Sequence, residues 1–129
     1  MYRTKQAIIS LNQAFHLPVT GREQDWDLEL ADMNRVGEFI GYLADHALND
    51  DEKRALMALI MSSLEDLSYE KTIPPDLWEQ VKCHLQANPA LYADVVAKWS
   101  GKEDDGFAIS PLVRSLARQD CRAGIGPIR

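Results

Sequence analysis

One helix, apolar around its whole circumference, constrains this chain more than anything else in it. In LNDDEKRALMALIMSSLEDL, residues 48–67, seven apolar residues run without a break from Ala55 to Met61. Seven residues make nearly two helical turns, so no side of that stretch is left for water. A helix of that kind is buried on every side. Its start is equally marked. Asn49 suits the N-cap and Glu52 stands three residues on, the spacing of a capping box. Asp50, Asp51 and Glu52 complement the positive end of the helix dipole. The sequence therefore predicts a central helix with Leu56, Leu59, Ile60 and Leu64 at its heart, and with Ser62 and Ser63 small enough to extend the close packing.

The remaining segments read as helices laid around it. The first is predicted over Arg3 to His16, with Ile8, Leu11 and Phe15 on one stripe; Pro18 and Gly21 end it. Asp32 caps the second, whose apolar positions Val36, Phe39, Ile40 and Leu43 keep helical spacing. Gly37 and Gly41 inside it each cost about 1 kcal/mol against alanine, which predicts the close approach of a neighbouring helix. Pro74 and Pro75 break the chain, and Pro75 or Asp76 opens a fourth helix with Leu77, Trp78, Val81 and Leu85 inward. Asn88 caps a fifth, with Leu91, Tyr92, Val95, Val96 and Trp99 on its stripe. SGKEDDG is a loop by composition, and Ser110 followed by Pro111 starts the last helix. Short connections between amphipathic helices imply an all-α fold: a single domain of about six helices over residues 1–118, one short extended acidic segment near residues 23–31, and a flexible tail over residues 119–129.

Charge and composition narrow the function. The net charge is −6, yet from Arg114 onward four arginines face one aspartate, so the first 113 residues carry −9. An acidic body repels phosphates, which excludes nucleic acid as the expected partner. No apolar run approaches the roughly 18–20 residues of a membrane span. The N-terminus turns polar too early for a secretory signal. Two cysteines, Cys83 and Cys121, are too few for a disulfide framework, which predicts a reduced, cytoplasmic protein.

Against that background GREQDWDLELADMN stands out. Glu23, Asp25, Asp27, Glu29 and Asp32 fall within ten residues with no base among them. Trp26, Leu28 and Leu30 alternate with Asp25, Asp27 and Glu29, which predicts an extended strip with acids outward and apolar residues inward. Calcium does not fit: an EF-hand loop begun at Asp25 would place Leu30 at its glycine position and Val36 at its terminal glutamate. Begun at Asp27, it recovers Glu38 at the end but loses the turn and a ligand. Paired-carboxylate catalysis needs a pocket that separates two pKa values, and nothing here supplies one. Cys83 and His84 are sequence neighbours whose side chains diverge on a helix. No cofactor, metal site or catalytic motif is expected.

The strip has two readings: a solvated connector, or a docking edge whose like charges a basic partner would relieve. Glu38, Tyr42 and Asp45, opposite the apolar stripe of the second helix, extend the docking edge, since a tyrosine between carboxylates suits the centre of an interface. The DW pair, the start of the second helix (ADMNR), DEKRALMALIMSSLEDL and, more loosely, LYADVVAKWS resemble small uncharacterised bacterial all-helical proteins. Some of those are suspected immunity proteins of polymorphic or contact-dependent toxin systems. The resemblance implies a helical fold and an acidic surface that meets a basic toxin domain. Sequence and resemblance together predict a non-catalytic protein-interaction module, immunity- or antitoxin-like, that binds a basic protein partner through Glu23, Asp25, Asp27, Glu29, Asp32, Glu38, Tyr42 and Asp45. The alternatives are a small helical enzyme or ligand-binding protein with a site between helices, and a homo-oligomeric scaffold.

Overall fold

The computed structural model describes residues 5–101, 106–118 and 121, and among them it contains seven α-helices, two 3-10 turns and no strand. The helices are α1 (Lys5–Phe15), α2 (Trp26–Glu29), α3 (Val36–Asp45), α4 (Asp50–Glu70), α5 (Pro75–Ala87), α6 (Ala93–Ser100) and α7 (Ser110–Arg114). The 3-10 turns are Met33–Arg35, leading into α3, and Ser115–Ala117, extending α7. None of the described helices is long and apolar enough to cross a membrane.

The centre is α4. Its residues are buried without interruption from Ala55 to Glu65, and α1, α2, α3 and α6 all pack on it. The expected capping box is formed: Asn49 Oδ1 accepts the Glu52 amide at 2.8 Å, and Glu52 Oε1 accepts the Asn49 amide at 2.9 Å. Glu52 does more than cap, because its other oxygen accepts the Ser10 hydroxyl at 2.8 Å and fastens α1 to the start of α4. Beside it, Phe15 of α1 packs edge-on to Phe39 of α3 at 4.9 Å. The guanidinium of Arg35 lies over both rings and donates to the Phe15 carbonyl at 2.8 Å.

Several expectations need correction. The acidic segment is not an extended strip: residues 26–29 form α2, which packs on α4. Asp32 does cap, but it caps the 3-10 turn, accepting the Asn34 amide at 2.9 Å, before α3 begins at Val36. The fifth predicted helix starts at Ala93 rather than after Asn88. Residues 89–92 are a turn closed by the Tyr92 amide on the Asn88 carbonyl, which still buries Tyr92. The two glycines of α3 do not mark a close helix approach, since a Cβ built at Gly37 or Gly41 meets nothing within 4 Å.

The cysteines are also corrected. Cys83 on α5 and Cys121 are joined in a disulfide, with Cα atoms 4.9 Å apart and a sequence separation of 38. Closing a loop of that length stabilises a fold by about 3–4 kcal/mol in the chain-entropy account. The argument for a reduced protein from its two thiols therefore falls away. Of the predicted tail, only Cys121 is among the described residues, and it is held by the disulfide and by its amide on Gln86 Oε1 at 2.7 Å. The rest of residues 119–129 lies outside them.

Candidate functional site

The eight acidic-edge residues do not share one surface. Asp27 is the clearest correction: it is fully buried, at 0% exposure, while Leu28 is 46% exposed. The helical turn of α2 explains this. Residues i and i+4 share a helix face, so Trp26 and Leu30 both turn inward, Asp27 follows Trp26, and Leu28 is rotated out. A strand would have done the opposite. Once inside, Asp27 Oδ2 is met by the Ser62 hydroxyl of α4 at 3.4 Å and by the Lys98 ammonium of α6 at 3.8 Å. Trp26 is anchored too, donating from Nε1 to Asn12 Oδ1 at 2.8 Å.

Most of the other acids are spent within the chain. Glu23 accepts the Thr20 amide at 2.6 Å, the Thr20 hydroxyl at 3.0 Å and the Gly21 amide at 3.2 Å; these bonds hold its pKa below the usual glutamate value. Glu29 accepts the amides of Gln24 and Asp25, both at 2.8 Å, and so satisfies the open start of α2. Glu38 is paired with Arg35 at 2.7 Å, which lowers its pKa. Tyr42 is half-buried, 4.7 Å from the Phe15 ring and stacked on His46 at 3.7 Å. Asp25 and Asp45 alone of the eight are exposed carboxylates with no side-chain partner among the described residues. The self-repulsion that favoured a basic partner along this edge is relieved internally.

A second acidic surface shares Asp32 with that edge and adds carboxylates from the end of α4. Where the end of α4 passes the Met33–Arg35 turn, Asp32, Asp66 and Glu70 line a shallow cleft of about 440 Å³ together with Ala31, Met33 and Tyr69. The last turn of α4 contains no basic residue. Asp66 and Glu70 thus crowd negative charge onto the negative end of a helix dipole, where carboxylates are unfavourable. Partial burial and the neighbouring charge of Glu65 push the Asp66 pKa up. Tyr69 stands among these acids with 71% of its surface exposed. Its hydroxyl donates to Glu65 Oε2 at 2.9 Å, which fixes the ring while leaving its face open. Met33 and Glu70 are shared with a neighbouring groove of about 430 Å³, in which Leu67, Pro74 and Leu77 supply apolar walls, Lys71 and Asn34 supply polar ones and Gly37 leaves room.

Of this cleft the sequence reading found only Asp32. It missed Asp66, Tyr69 and Glu70, although SLEDLSYE carries a signal: acids at i and i+4 in the last turns of a helix that holds no base before Lys71 at its C-cap. Such a site suits recognition of a cation by charge and by an aromatic face. A second, polar cleft of about 370 Å³ gathers His46, Lys53, His84, Asn88 and Tyr92 where α3, α4 and α5 meet. There burial and Lys53 push the His84 pKa down, and burial with the charge of Asp50 raises that of Tyr92 to about 12. No family model, no curated protein and no solved structure matches this chain.

Proposed function

We propose that this protein is a non-catalytic interaction module and that its acidic cleft receives a Lys- or Arg-bearing segment of a partner protein. The observation that carries this reading is the convergence of Asp32, Asp66 and Glu70 around Tyr69 in a cleft with no basic residue in its lining, Lys71 at the C-cap of α4 lining the adjoining groove instead. A bound cation would offset the unfavourable placement of Asp66 and Glu70, and the fixed ring of Tyr69 offers it a face at little entropic cost. The adjoining apolar groove would take a hydrophobic residue a few positions away on the same partner segment. An immunity- or antitoxin-like role, with a basic toxin domain as partner, is the specific form that the sequence resemblance supports.

The alternative, a ligand-binding or catalytic site between helices, is favoured by one observation: the polar cleft of His46, Lys53, His84, Asn88 and Tyr92. The two readings separate by mutation. With a partner recovered by co-purification, Tyr69→Ala should weaken binding about tenfold or more, whereas Asp25→Asn with Asp45→Asn should leave it near the parent value. Full affinity in Tyr69→Ala, with circular dichroism unchanged, contradicts the docking reading; loss of binding in His84→Gln alone would move the site to the polar cleft.

A further inference from the structure

Glu79 and Cys83 lie one turn apart on α5, so their side chains leave the same helix face. Cys121 reaches that face from the segment after α7, and a carboxylate oxygen of Glu79 and the two sulfurs lie within 4.8 Å of one another, all on half-buried residues. Contacts other than the disulfide also place Cys121 there: Gln86 Oε1 accepts its amide at 2.7 Å, while Gln86 Nε2 donates to the Leu116 carbonyl at 3.3 Å. The buried ammonium of Lys82, 3.3 Å from Glu79 Oε1, keeps that carboxylate ionised, and a bound cation has to share Glu79 with it. His84, next in sequence to Cys83, lines the separate cleft with Lys53 and Tyr92 and is not part of this cluster.

We propose that Glu79, Cys83 and Cys121 form a site for a thiophilic divalent cation, zinc by its ligand chemistry, in the reduced protein. Two thiolates select zinc over hard cations such as magnesium or calcium, and three protein ligands leave a fourth tetrahedral position for water. The disulfide and the metal site are alternative states of the same sulfurs. Two equivalents of a small thiol convert the disulfide to two cysteine thiols and yield one small-molecule disulfide. Zinc then binds both sulfurs and the carboxylate and releases the two thiol protons. In either state Cys121 is fastened to α5, so the cation replaces the covalent bond as the fastener.

The test uses the full chain, reduced and freed of reductant under anaerobic conditions, with Co²⁺ as the probe. The expected result is one Co²⁺ per chain, a thiolate-to-cobalt charge-transfer band, displacement by Zn²⁺, and no band from the disulfide form. Glu79→Gln should weaken Co²⁺ binding by about tenfold or more, and Cys83→Ser should abolish the band. Absence of the band in the reduced parent overturns the proposal. So does undiminished affinity in Glu79→Gln, which would leave a thiol pair without the carboxylate.

Discussion

Glu65 Oε1, deep on α4, accepts the amide of Ile109 at 3.0 Å across 44 residues of chain. The other oxygen accepts the amide of Ala108 at 2.9 Å and the hydroxyl of Tyr69 at 2.9 Å. One buried carboxylate thus closes the turn before α7 and orients the exposed ring of the acidic cleft. Removing it strands the buried amide of Ile109, at about 1–3 kcal/mol when left unpaired in the interior, while the amide of exposed Ala108 can turn to water. Glu65→Ala should therefore cost about 1–3 kcal/mol in urea denaturation, with faster hydrogen exchange at Ala108 and Ile109. A loss below about 1 kcal/mol would mean that α7 is held by its apolar contacts alone.

Asp25 and Asp27 are two residues apart and should respond oppositely. Asp25→Asn changes an exposed side chain and should shift stability by less than about 0.5 kcal/mol. Asp27→Ala removes the buried partner of Ser62 and Lys98 and should cost about 2–4 kcal/mol. Equal, small effects in thermal melts would restore the outward orientation of Asp27.

Gly41→Ala should stabilise the protein by about 1 kcal/mol, because the helix gains propensity and the new methyl meets open space. Destabilisation would show that a neighbour closes on that face in solution.

The pH dependence of folding should carry the mark of His84. Its folded pKa lies below the ordinary 6.5, because burial and Lys53 disfavour the charged ring. The unfolded chain then binds the proton more readily, so stability falls as pH drops below about 6.5 toward the folded pKa. His84→Gln should flatten that part of the curve. Glu23 and Glu38, with lowered pKa values, contribute stability that disappears in a separate, more acidic window below about 4.5.

What the sequence made legible was local. Asn49 and Glu52 cap α4 because their bonds span three residues, and the run from Ala55 to Met61 declares its own burial. Alternation misled at Trp26–Leu30, because a four-residue helix also turns its first and fifth positions to one side, and only the burial of Asp27 and the exposure of Leu28 separate it from a strand. The partners that draw Asp27 inward, Ser62 and Lys98, lie 35 and 71 residues away. The pairing of Cys83 with Cys121 depends in the same way on where α7 returns the chain to α5. The helix cost of Gly37 and Gly41 points to a contact, yet both border open space.

If the cleft receives a basic partner as proposed, Asp66 and Glu70 should steer it there. The decisive quantity is the association rate of the co-purified partner with the parent and with an Asp66→Asn, Glu70→Gln variant, at low and moderate salt. Folding should change little or improve, since partial burial and the neighbouring charge of Glu65 disfavour the ionised form of Asp66. The parent should bind faster at low salt, and the variant should bind more slowly with a flatter salt dependence, because steering charges act mainly on encounter. A variant that associates as fast as the parent at both salt concentrations would contradict the account.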